Sequence, residues 1–252
     1  GQGWDVYFVA NKCDSVARAE VSFRVDTGMP ELWDPLTGTS RSLPEFFVKD
    51  GRTTVPMEFQ PYQSFFVVFR KGAVTGGGKN FPVCRVISVL KGSWSVAFDT
   101  AWGGPAHVRF DSLYDWTGSK VDGIRYYSGE AHYKKMFDLA GGRKGKRLYL
   151  DLGMVKDMAR VRLNGKDLGV VWTAPRRVDI TDVVRERGNQ LDITVANRWP
   201  NRLIGDERLP DDGIKDGKWP EWLLKGLPRT SGRRTFTTFR HYTKDSPLLS
   251  SG

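Results

Sequence analysis

At 252 residues, 39% hydrophobic and 27% charged, the chain is long enough to bury one or two ordinary cores. No stretch approaches the roughly 18–20 apolar residues of a membrane span, and two cysteines, Cys13 and Cys84, cannot build a disulfide framework or a thiolate metal site. The net charge of +10 comes with basic clusters at residues 143–147, 176–177 and 229–234; these fall mostly in turn-forming sequence with no nucleic-acid motif, so solvated loops or attraction to an acidic polysaccharide explain them better than nucleic acid.

With 28 Gly, 13 Pro and few helical periods, short alternating segments between Gly, Pro, Asn and Asp predict an all-β chain. Residues 1–72 are expected to form a small β-sandwich, with strands in WDVYFVAN, AEVSFRVD, PELWDPLTG, TTVPMEF and QSFFVVFRK. Asp50-Gly51 is a hairpin signal within it. Residues 73–79 read as a Gly-rich linker, and no strand-to-helix step with Lys-Ser/Thr follows to make them a phosphate loop. Residues 80–252 form the second unit. Its expected strands are VISVLKGSWSVAFD, HVRFDSL, YYSGEAHYKKMFDL, KRLYLDLG, a hairpin in ARVRLNGKDLGVVW turning at Asn164-Gly165, RRVDIT, QLDITVAN and TFTTFRHY. Seven to nine antiparallel strands with long connections suit a jelly roll. PEWLLKG, with Pro at its start and Gly at its end, predicts one helical turn. The chain opens almost directly into a strand, as part of a longer protein would.

The richest segment is LDITVANRWPNRLIGD, residues 191–206. It alternates as a strand and then breaks into Asn, Arg, Trp and Asp, side chains that stack on sugar rings and hydrogen-bond their hydroxyls. Loops at the rim of a rigid sheet are where β-proteins place such groups. Candidate carbohydrate-contact residues are therefore Asn197, Trp199, Asn201, Arg202 and Asp206, joined by Trp172 and Arg177 and by the loop tryptophans Trp102, Trp116, Trp219 and Trp222. A loop Trp either meets ligand or lies under its own loop. Likewise Arg198, Asn201, Arg202 and Asp206 either face ligand or form a buried network pinning the loop. Asp211, Asp212 and Asp216, in LPDDGIKDG, could hold a structural Ca²⁺ or form a solvated acidic turn.

No catalytic residue is assigned. A glycosidase needs two carboxyls roughly 5–10 Å apart, and Asp115, Glu130, Asp206, Glu207 and Glu221 sit in no pairing that marks such a site. His107, His132 and His241 are widely separated, with no Gly-x-Ser-x-Gly elbow. His132 and His241 read as structural.

VRLNGKDLGVVW, VDITDVV and GNQLDITVANRWPNR, in that order, resemble the sugar-binding β-sandwich of glycoside hydrolase family 2. YFVANK, PELWDPLTG, NRWPNRLIGDE, WPEWLLKG, RTSGRRTFTTFRHY and KDSPLL resemble the C-terminal region of family 106, the α-L-rhamnosidase-like hydrolases, across nearly the whole chain. The resemblance implies a galactose-binding-like jelly roll as the second unit. It implies a non-catalytic region that binds plant or microbial glycan, with uronate a favoured component, or that buttresses a catalytic barrel elsewhere in a secreted or periplasmic enzyme; a monomer is the default expectation. In family 2 β-galactosidases this domain reaches an Asp into the barrel's active site; the nearest counterpart here is Asp206. Where the related phrase has an aromatic, this chain has Arg176.

Overall fold

The structure, a computed structural model, describes residues 3–71, 78–81, 83–139, 145–236 and 241–252. The chain divides into two compact units: Gly1–Ile87 with Thr173–Pro175, and Ser88–Trp172 with Arg176–Gly252. Most of the segment read as a Gly-rich linker lies outside the described residues. Its last residue, Lys79, pairs with Glu45. The next, Asn80, is buried, bonded to the backbone at Glu45 and Pro56.

The first unit is a β-sandwich. One sheet has the order β1 (Trp4–Ala10), β7 (Ser64–Arg70), β3 (Met29–Asp34), β4 (Thr39–Ser42); the other runs β2 (Ala17–Phe23), β6 (Arg52–Phe59), β5 (Phe47–Lys49). Period-2 alternation sends Thr53, Val55, Met57 and Phe59 of β6 inward, where they meet Leu32 of β3 and Phe65, Val67 and Phe69 of β7. Asp50 and Gly51 close β5 onto β6 with φ of 50° and 67°, the mirror-image turn whose twist matches the strands. Cys13 and Cys84 form no disulfide.

The second unit is built on a six-stranded antiparallel sheet. Its order is β13 (Lys166–Val171), β12 (Met158–Leu163), β15 (Asn189–Ala196), β10 (Glu130–Phe137), β8 (Trp94–Phe98), β9 (Val108–Phe110). Trp94, Val96, Phe98, Tyr133, Val161, Leu163, Leu191 and Ile193 point from it into one core. A two-stranded ladder, β11 (Tyr149–Asp151) with β14 (Arg177–Asp179), contributes Leu150 and Val178 to the same core. The alternation of β10 drives Lys135 inward as well. Its ammonium donates to the carbonyls of Gly92 and Ser93 at 2.9 and 3.0 Å and lies over Trp94, while burial pushes its pKa down. Asn164 and Gly165 turn β12 into β13 with φ of 53° and 83°.

Two elements depart from the expected pattern, the start of VISVLKGSWSVAFD and NRWPNRLIGDE. The apolar start of VISVLKGSWSVAFD is not strand: Val86, Ile87 and Val89 are exposed, and the strand begins only at Trp94. A strand is set by its partner, and none of the described residues pairs with this segment. The middle of TFTTFRHY, residues 237–240, lies outside the described residues. NRWPNRLIGDE contains a helix where the sequence reads as loop.

Candidate functional site

Three short helices gather on the second unit: α1 (Asp122–Arg125), α2 (Pro200–Asp206) and α3 (Glu221–Leu224), with 3₁₀ turns at Thr100–Trp102 and Trp116–Gly118. At the end of β15, Asn197 donates to Tyr127 O at 2.8 Å and Ser251 Oγ at 3.1 Å and accepts from the Gly129 N–H at 2.9 Å. The Ser128 hydroxyl donates to Arg198 O and accepts from the Arg202 N–H. Trp199 then leads into α2, whose first residue, Pro200, has a ring that fixes φ in the helical range where no N–H partner is needed.

Inside α2 the polar side chains turn inward. Asn201 donates to Leu249 O and Ser251 Oγ at 2.7 and 2.9 Å and accepts from Leu249 N–H. The chain's last residues are thereby laced onto the helix. Asp115 continues the lacing: Oδ1 accepts from Ser251 N–H and Thr117 N–H, and Oδ2 accepts from the Ser250 hydroxyl. Burial alone would raise its pKa, but these bonds outweigh it and hold the carboxyl below its usual value.

Asp206 is 1% exposed. Its Oδ2 accepts from Arg234 N–H, Thr235 N–H and Thr235 Oγ1 at 2.8, 2.7 and 2.7 Å, and its Oδ1 lies 2.9 Å from Arg202 Nε, one turn earlier. Burial lowers the Arg202 pKa, and Asp206 opposes that shift. Asn201, Arg202 and Asp206 are therefore the frame of the site: Oδ2 of Asp206 takes three hydrogen bonds from the chain, and the buried Oδ1 makes none and only faces Arg202 across the ion pair, so a direct sugar contact would have to open this buried pair. Gly205 lets this frame close, because a Cβ there would meet Tyr126 Cβ and Arg202 Nη2 at 2.6 Å.

The frame holds two indoles at the surface. Trp199 is 50% exposed. Trp102, half-buried at the end of a 3₁₀ turn capped by Asp99, meets it edge to face with centroids 5.0 Å apart. Arg234 reaches the same turn through Ala101 O, and its guanidinium passes Gly103. An apolar aromatic wall beside a guanidinium is chemistry suited to a sugar ring and its hydroxyls.

A second aromatic group surrounds Asp212. Arg229 donates to both of its oxygens at 2.6 and 2.8 Å, and Ser231 adds a third bond; the Arg229 bonds lead in holding this carboxyl below its ordinary range. Trp222 donates to Asp212 O while Arg229 covers its ring. Phe236 stacks on Trp219 and meets Trp222 edge-on. A cleft of about 60 Å³ lies here, lined by Leu203, Arg229, Arg233 and Phe236 among others, room for only a few waters.

Two sequence expectations need correction. Trp116, flanked by turn formers, is fully buried, its indole N–H donating to the Tyr133 hydroxyl at 2.6 Å; it belongs to the core, not to a sugar-contact surface. Asp211, Asp212 and Asp216 make no calcium cradle: Asp212 is taken by Arg229 and Ser231, Asp211 accepts from Gly213 N–H, and Asp216 sits in the tight turn between Lys215 and Lys218. Among the described residues no group of three acidic, His or Cys side chains converges on a metal position. Trp172 is exposed at the end of β13, and Arg177 lies over Tyr149. Of the acids considered for catalysis, Asp115 and Asp206 serve as acceptors within the fold, and Glu207 pairs with Arg233 at 2.8 Å. Ser128, Ser251 and Phe236 carry no local sequence signal for their roles, and α2 carries only Pro200 followed by Leu203-Ile204.

Residues 111–231 match the family described as glycosyl hydrolase 2 galactose-binding domain-like. A putative beta-glucuronidase from Formosa agariphila is 39% identical over 219 residues, covering 84% of this chain and 18% of that protein. The rhamnosidase structure from Novosphingobium sp. PP1Y superposes with a TM-score of 0.80 at 35% identity, over 100% of this chain and 22% of that one. The second unit thus carries a galactose-binding-like β-sandwich with relatives among glycoside hydrolases, and the chain spans about a fifth of either relative. No helix among the described residues is long and apolar enough to cross a membrane.

Proposed function

We propose that this chain is a non-catalytic, glycan-contacting region of a glycoside hydrolase resembling the family 106 α-L-rhamnosidases. In this reading residues 1–72 and 80–252 act as two domains joined by 73–79, and catalysis belongs to a separate domain of a monomeric, secreted or periplasmic enzyme. The observation that carries it is the Trp102–Trp199 pair, held at the surface by a buried polar frame that fixes its position. A preorganised aromatic wall loses little side-chain entropy when a ring packs on it. Trp172, Arg177, Trp219 and Trp222 remain candidates for further contacts along a polymer.

The test is affinity electrophoresis of the purified chain against neutral and uronate-rich plant and microbial polysaccharides at two salt concentrations, repeated with Trp199→Ala. Retardation that survives high salt and is lost in the variant supports the proposal. Retardation only by acidic glycans, abolished by salt, reduces it to charge attraction.

A second reading is favoured by one feature. Trp219, Leu223, Leu224 and Leu227 are all exposed on and around α3, as expected of a surface that packs on the parent's catalytic domain. Absence of glycan affinity, with association in trans with that domain, would establish the buttress instead.

A further inference from the structure

A separate cleft of about 430 Å³ opens between α1, the end of α2 and the segment 244–248, within the ~300–1,000 Å³ range of small-molecule sites. Three cations line it: Arg125, Arg208 and Lys244. Both guanidinia pack on the ring of the buried Tyr126, at 5.6 and 5.5 Å from its centroid. Arg208 also donates to Lys244 O at 3.2 Å, tying the two walls together.

Arg198, Arg202, Arg229 and Arg233 each have a carboxylate partner. Among the described residues, Arg125, Arg208 and Lys244 have none. One carboxylate, Asp245, is also on the lining, leaving three cations to one acid. Thr117, Ser246 and Leu248 complete the wall. Guanidinia packed on an aromatic ring are preorganised donors for a planar or tetrahedral oxyanion, and Leu248 offers an apolar flank to the ring that carries it.

We infer that this cleft binds a saccharide unit bearing an oxyanion, a uronate carboxylate or a sulfate ester. The inference deepens the glycan-contact reading by naming a charged substrate class, and it uses residues apart from the Trp102–Trp199 wall. Nucleic acid fits less well: the cleft's one aromatic lies buried beneath the arginines and offers no face for base stacking.

Isothermal titration of the whole chain with three probes tests it: an unsulfated glucuronate-containing tetrasaccharide, a sulfated neutral tetrasaccharide, and an unsubstituted neutral one. The variants are Arg125→Gln/Arg208→Gln, Lys244→Gln and Trp199→Ala, with unfolding midpoints measured for each. Losing two charge-assisted contacts is expected to weaken one or both acidic probes by about tenfold or more, and Lys244→Gln by about threefold, with neutral binding unchanged. Which acidic probe responds separates carboxylate from sulfate. Unchanged acidic affinity in a folded double variant overturns the inference; should that variant unfold, an unchanged Lys244→Gln does so. Equal competition by polyglutamate or single-stranded DNA also overturns it. Failure of the glycan-contact reading has a different signature, namely neutral binding indifferent to Trp199→Ala.

Discussion

Replacing Asp206 by Ala tests the claim that the α2 frame is structural. The carboxylate accepts three hydrogen bonds on Oδ2 and faces Arg202 Nε at 2.9 Å on Oδ1. Its loss strands a guanidinium that is 7% exposed, and breaking one partner of a buried pair costs about 3–5 kcal/mol. The freed amides of Arg234 and Thr235 are only part-buried, so water can replace much of what they lose. A total near 4 kcal/mol lowers Tm by roughly 8–16 °C for a domain of this size. The assay is urea unfolding followed by tryptophan fluorescence, completed as a cycle with Arg202→Met. The double variant should cost less than the sum of the singles, because it removes the stranded charge, with a coupling of about 1–3 kcal/mol. A cost for Asp206→Ala below about 1 kcal/mol would refute the reasoning. It would mean that Arg202 finds water or another acceptor without strain.

Further outcomes follow from the same packing. Gly205→Ala places a methyl 2.6 Å from Tyr126 Cβ; backbone cannot yield there cheaply, so a loss of about 1–3 kcal/mol is expected in thermal unfolding. Trp116→Phe removes the donor to the buried Tyr133 hydroxyl and should cost about 1–3 kcal/mol, with no change in affinity for any glycan the native chain binds. Asp115 and Asp212 have pKa values below those of unfolded carboxyls. Their stabilisation is therefore complete above the unfolded value of about 3.9 and is lost as pH falls through the folded values. Stability against urea should drop below about pH 4, and Asp212→Asn should lower stability at pH 7 while flattening that acid limb.

Much of the architecture could be read from local pattern. The alternation in RTTVPMEF and QLDITVA fixes which face is buried, whatever strand lies alongside. The pairs Asp50-Gly51 and Asn164-Gly165 tolerate positive φ and so place two hairpins. The helical turn at PEWLLKG follows from Pro at its start and Gly after it. Among the candidate residues, the polarity of NRWPNRLIGD was visible, as was the alternative that it forms a buried network.

What the sequence left open depends on parts of the chain far apart in order. Trp116 and Trp199 both sit beside turn formers, yet one is core and the other half-exposed. The difference is made by residues more than a hundred positions later: Ser251 O accepts from Trp116 N–H, and Gly252 lies so close that a Cβ would meet its indole at 2.6 Å. Val86, Ile87 and Val89 show the converse, an apolar run that reads as strand but finds no partner edge. The pairing of Asp212 with Arg229 and Ser231, rather than with a cation, was decided in the same way. Local sequence sets backbone preference and the polarity of a face. Which loop covers an indole, and which cation claims a carboxylate, is settled by tertiary contacts, where the desolvation of each group is either compensated or not.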